Sequence, residues 1–496
     1  MKRFRGATRA TALLSVAALL LTACGDTTNN DEDATTGDVT DEETEATEAP
    51  AETDEEETDA EPEPEPVPED VVAVPVWIAF TDGRLDWTRQ VAEDFNQQIE
   101  GYAITIEGYD AYEPLFDATL LAVDQGNPPA VVQYFEAATT EAADAVSAAG
   151  EPLFTSVEAA IAGRDEILGV PVVIDDVVDA ALNYYTLEGE MRSMAWNTSS
   201  AIMFNNMTML EEYEVDIPET WQDVEEACET IMSSDDPPPD CITWPNHSWF
   251  TEQAIARQDE VLGNNDNGRT DRATEVYLET DAMIDWLDWW KQLQDDGYYV
   301  YTGVQRDWTG TYNAFAAQQV PFLIYSSSDT TLLTDEGEQA GFEVETSFFP
   351  YNAESDDGGY IIGGASLWLI DGLEQEVEDA ALAFMNYLSN PENAADWHRE
   401  TGYIPITNEA VDQLEGEGWF DESPNSRTAN EQLDAAPDSP ATAGVLMGNF
   451  VAIRDVITEA IEDILVNDLD PAERMAEAQT SGQQLLDEYN SLVVGG

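Results

Sequence analysis

Short apolar segments alternate with amphipathic ones along this chain, and that alternation restricts its fold more than any other feature. Strand-like patterns occupy residues 74–80, 103–109 and 129–135. Helical spacing follows each of them, at residues 85–98, 114–123 and 139–149. Strands that are joined through helices form a largely parallel sheet that is covered on both faces. The sequence therefore predicts an α/β fold.

The same kind of pattern begins again after a polar turn at residues 197–200. Strand patterns recur at 201–204, 320–325 and 342–349, and helical patterns at 221–232, 281–294, 312–318, 374–388, 448–466 and 471–489. The part of the chain from residue 71 to residue 496 is longer than one hydrophobic core usually encloses. We therefore expect two α/β lobes and a helical C-terminal part, with any ligand bound at the carboxyl ends of the strands.

A pair of glycines interrupts the apolar run from Tyr360 to Trp368. Gly363 and Gly364 stand between Ile362 and a second apolar stretch. Paired glycines within a strand mark either a bulge or a place where another group approaches the backbone closely. The backbone amides there are candidates to face a ligand, and a packing bulge is the alternative.

The N-terminus has the features of an export signal. Residues 1–23 combine a basic start with an apolar stretch that is too short to span a bilayer comfortably. The run Leu21-Thr22-Ala23-Cys24 predicts a lipoprotein signal peptide and lipidation of Cys24. Residues 24–70 are nearly all Asp, Glu, Thr, Ala and Pro, which predicts an acidic disordered tether. We expect the mature protein on the extracellular face of the cell membrane or in the periplasm.

The balance of charge excludes several classes of partner. The chain carries 104 Asp and Glu against 17 Lys and Arg, a formal net charge of −87. Such a surface argues against binding to nucleic acid or to anionic membranes, so the lipid is the only membrane contact we expect. It is the surface expected in a high-salt habitat, where charges are screened. The acidity is therefore a solvation trait, and we predict no metal site and no cofactor.

Two cysteines remain besides Cys24. Cys228 and Cys241 flank a proline-rich loop, and outside the cytoplasm such a pair is able to form a disulfide. Two free buried thiols are the alternative.

Catalytic motifs are missing from the sequence. It contains no nucleophile elbow, P-loop, zinc-binding histidine pattern or Cys-x-x-Cys pair. The two histidines, His247 and His398, are not at ligand spacing, and we expect His398 at the surface or at a helix end. The acids are too numerous for any pair to indicate a glycosidase. We predict that the protein is not an enzyme, and an extracellular glycosidase or phosphatase is the alternative from a different class.

Several motifs resemble those of one known family. Residues 360–368, 391–398 and 401–407, together with Met447-Gly448-Asn449 and Arg454, are similar to the glycerol-3-phosphate-binding proteins of bacterial ABC importers. Those proteins belong to the extracellular solute-binding proteins that also include maltose binders. The resemblance implies a two-lobe periplasmic-binding-protein fold of the maltose-binding type, a monomer that closes on a small molecule and delivers it to permease subunits.

The resemblance also implies where the lobes divide and which residues face the cleft. It assigns residues 71–196 and 355–402 to lobe 1 and residues 197–354 and 403–496 to lobe 2, with crossings near 196–200, 351–359 and 402–405. It implies eight ligand-binding residues: Tyr112, Glu113, Ser199, Trp249, Ser327, Gly364, Tyr403 and Arg454. Either Trp249 or Trp244 is expected to stack on the carbon face of the ligand.

Arg454 is the residue on which a phosphate ligand most depends. A phosphate favours a bidentate guanidinium, backbone N–H groups and hydroxyls, and this body is short of cations. A salt bridge to Asp455, Glu459 or another nearby acid is the alternative role.

The segment 78–84 departs from the family, which usually has a His-Ser pair before an acid-Gly. The ligand is therefore predicted to be glycerol 3-phosphate or a larger glycerophosphodiester. An oligosaccharide of the maltose or trehalose type is the closest alternative, and a purely structural surface protein is a third.

Overall fold

A computed structural model describes residues 71–355 and 358–493 of the chain. Its larger sheet has six strands, and the first three run parallel to one another as the alternating pattern predicts. The strand Gly363–Ile370 pairs antiparallel with its neighbours, because the chain re-enters this sheet from the other lobe and not through a helical crossover. In spatial order the strands are Tyr102–Gly108, Val72–Ile78, Val131–Phe135, Gly363–Ile370 and Phe154–Thr155, with Met194–Ser199 also pairing with Gly363–Ile370.

The second sheet has four strands and is mainly antiparallel. Its spatial order is Ile242–Thr243, Phe322–Ser326, Ala201–Asn206 and Val344–Phe348. Two small hairpins lie outside both sheets, formed by Glu166–Ile167 with Val170–Pro171 and by Thr186–Leu187 with Glu190–Met191.

Helices follow the strands through both halves of the chain. Up to Tyr185 they are Gly83–Gln98, Tyr112–Asp124, Thr139–Asp144, Val157–Ile161 and Asp179–Tyr185, with 3-10 turns at Glu136–Ala138 and Ile174–Asp176. From there to Ala340 they are Met207–Tyr213, Trp221–Met232, Ser248–Arg257, Asn264–Gly268, Asp281–Asp295, Trp308–Ala316 and Thr330–Ala340, with a 3-10 turn at Ser327–Asp329. The last group is Gln375–Leu388, Pro391–Thr401, Asn408–Glu417, Trp419–Glu422, Thr428–Asp434, Phe450–Asn467 and Pro471–Val493, with a 3-10 turn at Pro424–Arg427.

Separate hydrophobic cores support the two sheets, as expected for two lobes. The core of the larger sheet contains Phe95, Trp196 and Trp397, whereas that of the second contains a tryptophan stack centred on Trp244. The C-terminal helices Phe450–Asn467 and Pro471–Val493 supply side chains to the second core. Residues 403–420 contribute to the first core, and the exact lobe boundaries stay a prediction.

Hydrogen bonds tie together the segments that pass between the sheets. The chain leaves the larger sheet after Ser199, enters the second at Ala201, and returns between Phe348 and Gly363. The Ser200 hydroxyl donates to Ile361 O at 3.1 Å, and Ile404 N donates to Thr198 O at 2.7 Å. These bonds join three distant parts of the sequence at one place.

Local departures from the expected elements have simple causes. The residues predicted as a polar turn at 197–199 belong to the strand Met194–Ser199, because the glycine pair offers them strand partners. The helix predicted at 139–149 ends at Asp144, where the Ala145 backbone turns to an extended conformation. A capping box begins the helix Trp221–Met232, with Thr220 as its first member and Asp223 as its second.

The predicted disulfide is confirmed. Cys228 and Cys241 are bonded, with Cα atoms 5.6 Å apart, and both side chains are fully buried. The predicted signal peptide, the lipidated Cys24 and the acidic tether lie outside the described residues. Among the described helices, none is long and apolar enough to cross a membrane.

We expect the double variant Cys228→Ala/Cys241→Ala to lose about 2–4 kcal/mol of unfolding free energy, because the bond constrains the unfolded chain. The sequence separation of 13 residues sets a short loop. Urea unfolding with and without reductant measures the loss. If the oxidised wild type and the double variant unfold at the same midpoint, the bond does not stabilise the fold.

Candidate functional site

A cavity of about 650 Å³ lies between the two sheets. The larger sheet contributes Phe80 and Glu136, which follow two of its strands, and Gly364, which lies at the start of the strand Gly363–Ile370. The second lobe contributes Tyr325, Ser326 and Ser328 from the end of one strand, and Trp249 and Arg454 from two helices. The cavity therefore lies at the carboxyl ends of strands, where α/β proteins bind their ligands.

Seven of the eight expected ligand residues line this cavity. They are Tyr112, Glu113, Ser199, Trp249, Gly364, Tyr403 and Arg454. Tyr112 stacks on Phe135 with ring centroids 4.9 Å apart, whereas the Glu113 side chain lies at an exposed position. Lining the cavity does not test a role in binding, so these assignments stay predictions.

Ser327 is the one expected residue that the structure does not bring to the cavity. Its buried hydroxyl accepts a hydrogen bond from Ser200 N at 3.1 Å, so it supports the crossing segment. Its neighbours Ser326 and Ser328 line the cavity, with their hydroxyl oxygens 2.9 Å apart. The first and third serines of this turn therefore face the cavity, and the second does not, because the backbone turns between them.

The two candidate tryptophans occupy different places. Trp249 lines the cavity, and its indole Nε1 donates to Ile362 O at 3.3 Å. Trp244 is fully buried against Trp286, Trp290 and Tyr299 in the second core. Trp249 is therefore the one placed to contact a ligand.

Arg454 is bound to two buried carboxylates. Its Nε and Nη2 donate to Glu252 at 2.7 Å each, and Nη2 also donates to Glu136 at 2.6 Å. The Arg454 and Glu252 side chains are 4% and 3% exposed, and that of Glu136 is 6% exposed. Burial raises the pKa of Glu136, and the guanidinium opposes that shift. The alternative role expected for Arg454, a salt bridge to a nearby acid, is therefore present, although Asp455 pairs with Arg306 instead.

Glu136 is a cavity residue that the sequence reasoning missed. It follows the buried strand Val131–Phe135 directly, so its backbone position is set by that strand end. Because the acids are so numerous, its charge alone did not distinguish it. An acid immediately after a predicted strand was the available signal.

The glycine pair is required by close packing. A Cβ on Gly363 would lie 2.4 Å from the Trp249 ring, and one on Gly364 would lie 1.8 Å from Asn197 O. Gly364 also has a φ of +102°, a backbone conformation that favours glycine. The glycine pair both packs against a crossing strand and lines the cavity. The two predicted roles, close packing and a backbone that faces a ligand, are therefore compatible.

Both histidines support cavity residues, His398 from a buried position and His247 from a partly buried one. His247 Nδ1 accepts a hydrogen bond from Trp249 N at 3.0 Å, and burial and nearby arginines lower its pKa. His398 lies in the last turn of its helix, one of the two positions expected for it, but it is buried and not at the surface, and its Nδ1 donates to Tyr403 O at 2.7 Å. Burial lowers the pKa of His398 to about 4, so the ring is neutral near pH 7. These contacts orient the backbones of Trp249 and Tyr403.

A second set of charged residues, centred on Arg84, lies at the cavity. Its Nε donates to both Asp82 carboxylate oxygens at 3.0 Å, and its guanidinium lies over the Phe80 ring, 4.7 Å from the centroid. Asp329 lines the same cavity from the other lobe. Burial raises the pKa of Asp329 to about 6, although Arg84 opposes the shift.

The chain is similar in sequence and fold to known proteins. Residues 90–428 match the family model described as bacterial extracellular solute-binding protein. The chain belongs to that family. It is therefore a solute-binding protein of the ABC-importer type and not an enzyme, and its family acts outside the cytoplasm.

Three individual proteins are similar to this chain over most of its length. The sn-glycerol-3-phosphate-binding periplasmic protein UgpB of Escherichia coli K12 is 26% identical over 423 residues, which cover 84% of this chain and 93% of the relative. Among solved structures, UgpB from Mycobacterium tuberculosis in complex with glycerophosphocholine has a TM-score of 0.68 and 18% identity, covering 84% of this chain and 98% of that one. The GacH receptor of Streptomyces glaucescens, solved with acarbose, has a TM-score of 0.68 and 16% identity, covering 84% and 99%. The two structures show a maltose-binding-like two-lobe fold.

We expect Gly364→Ala to lower the unfolding free energy by about 1–3 kcal/mol more than Gly372→Ala, because only the first introduces a clash. Gly372 is a matched control, since its φ is +76° and the space around it is open. Thermal and urea unfolding of both variants measure the difference. Equal losses would mean that the close approach to Asn197 is not required.

Arg454→Met should destabilise the fold by about 3–5 kcal/mol, because it leaves two buried carboxylates unpaired. The control is Arg474→Met, which removes an ion pair with Asp463, whose side chain is 38% exposed. Such a pair contributes at most about 1 kcal/mol. Similar losses in urea unfolding for the two variants would contradict a structural role for the buried triad.

Proposed function

We propose that this cleft captures sn-glycerol 3-phosphate or a glycerophosphodiester and delivers it to the permease of an ABC importer. The observation that carries the proposal is the concentration of cations in the cavity. The chain has 17 bases against 104 acids, yet Arg84, Arg306 and Arg454 line the cavity beside only four acids, Asp110, Glu113, Glu136 and Asp329. In so acidic a protein, this ratio favours a ligand that carries negative charge.

The Glu136–Arg454 pair suits the glyceryl hydroxyls of such a ligand. A hydroxyl both donates and accepts, and a carboxylate beside a guanidinium offers it one acceptor and one donor. The pair with Glu252 compensates the charge of Arg454, so an additional anion gains little there. Gly364 contributes backbone and Trp249 an aromatic face at the same cavity.

The dimensions of the cavity support a ligand larger than a three-carbon phosphate. Its volume of about 650 Å³ is within the usual range for small-molecule sites and exceeds what glycerol 3-phosphate alone fills. The M. tuberculosis relative was solved with glycerophosphocholine, a diester. This makes a glycerophosphodiester the better fit within the class.

Lobe closure is the transport step that the proposal requires. The ligand bridges residues of both lobes, and the closed form is what the permease recognises. The predicted boundaries at 196–197, 354–355 and 402–403, the lipid anchor at Cys24, the high-salt habitat and the monomeric state belong to this proposal.

An oligosaccharide is the second candidate, because aromatic side chains also line the cavity. Trp249, Trp308 and Tyr325 present rings to it, and the GacH receptor was solved with acarbose. In that case the arginines would be structural and no anion would be needed.

Isothermal titration calorimetry with sn-glycerol 3-phosphate, glycerophosphocholine and maltotriose separates the candidates. We expect saturable one-to-one binding of at least one phosphate ligand, at least about tenfold tighter than any binding of maltotriose, because the cleft concentrates cations. Binding of maltotriose without binding of either phosphate would reverse the assignment. Consumption of any of the three ligands by the purified protein would indicate an enzyme.

A further inference from the structure

The three arginines of the cavity differ in the carboxylates that they already bind. Arg454 is enclosed by two buried carboxylates. Arg306 pairs with Asp455, and it lines the cavity together with the aromatic rings of His247 and Trp308. Arg84 pairs with Asp82, whose side chain is 50% exposed. The three sites therefore differ in their ability to accept an anion.

The Arg84 guanidinium is held in place but retains free donors. Asp82 engages its Nε and Nη2, and within the described residues Nη1 makes no hydrogen bond. Its side chain is 29% exposed. The Phe80 ring beneath it packs against Trp196, Trp397 and Tyr403. A guanidinium fixed from behind by an aromatic group loses little conformational entropy when it binds.

Hydroxyl groups occur among the residues that line the cavity with Arg84. Tyr112, Tyr403 and Ser328 line the cavity with it, and the Tyr403 ring is 6.4 Å from that of Phe80. Burial raises the pKa of Tyr112, Glu136 raises it further and Arg84 lowers it, so Tyr112 lies within range of both charged groups. A guanidinium together with hydroxyl donors is the set that a phosphate group prefers.

We propose that Arg84 binds the phosphate of the ligand, together with the hydroxyls of Tyr403 and Ser328, while the Glu136–Arg454 pair holds the glyceryl end. This assignment rests on the proposed function and adds which cation selects for an anionic ligand. Arg84 lies in the segment that departs from the family pattern, so it specifies this chain's own ligand.

Two acids near Arg84 set the strength of this subsite. Asp82 competes with a phosphate for the guanidinium, because it already accepts from two of its nitrogens. Asp329, with a pKa of about 6, protonates more readily than an ordinary aspartate and is then a donor to a phosphate oxygen. Removing the Asp82 charge should therefore strengthen anion binding, and removing Arg84 should weaken it.

Calorimetry on four proteins tests the assignment: the wild type, Arg84→Gln, Asp82→Asn and Arg306→Gln. With sn-glycerol 3-phosphate and glycerophosphocholine as probes, we expect Arg84→Gln to weaken binding at least about tenfold, as for a lost charged hydrogen bond. Asp82→Asn should strengthen binding, and asparagine preserves the N-cap of helix Gly83–Gln98. Arg306→Gln is the comparison, since it removes the same charge from another wall of the cavity, and it should weaken binding less than Arg84→Gln does.

Opposite effects at two bonded neighbours cannot arise from a shared loss of folding, which circular dichroism checks. Unchanged binding in Arg84→Gln, or a loss confined to Arg306→Gln, would overturn the assignment while leaving the proposed function intact. If the wild type binds neither phosphate, the proposed function fails and the assignment fails with it.

Discussion

The buried ion triad of Glu136, Arg454 and Glu252 connects the two lobes at the point where they enclose the cavity. Glu136 follows a strand of the larger sheet, whereas Arg454 and Glu252 belong to helices of the second lobe. Charges this deeply buried are tolerated only when they are paired and hydrogen-bonded. The triad therefore requires the facing walls to meet in one arrangement, and a cleft with a defined donor and acceptor results.

Crossing segments join the two lobes. Ser200, Ile361 and Ile404 take part in hydrogen bonds between three separate stretches of chain, and the absent side chains of Gly363 and Gly364 let those stretches approach closely. The same glycines line the cavity.

Much of this architecture was predictable from the sequence, because it follows from periodic patterns and short motifs. Alternating strands and helices predicted the α/β lobes, and the glycine pair and Arg454 were both placed at the cavity. What periodicity does not encode is the orientation of a side chain within a turn, so Ser327 was expected in place of Ser328. Nor does composition reveal which acid is buried, and Glu136 was hidden among 104 acids. Tertiary packing alone separates Trp249 from Trp244.

In the proposed arrangement a phosphate and a glyceryl group occupy separate ends of one cleft, each with its own arginine. A crystal structure of the protein with a bound glycerophosphodiester would show where each group lies. We expect phosphate oxygens within hydrogen-bonding distance of the Arg84 guanidinium and glyceryl hydroxyls on Glu136 and Arg454. A phosphate bound to Arg454 or Arg306, or a ligand outside the cavity, would rule the arrangement out.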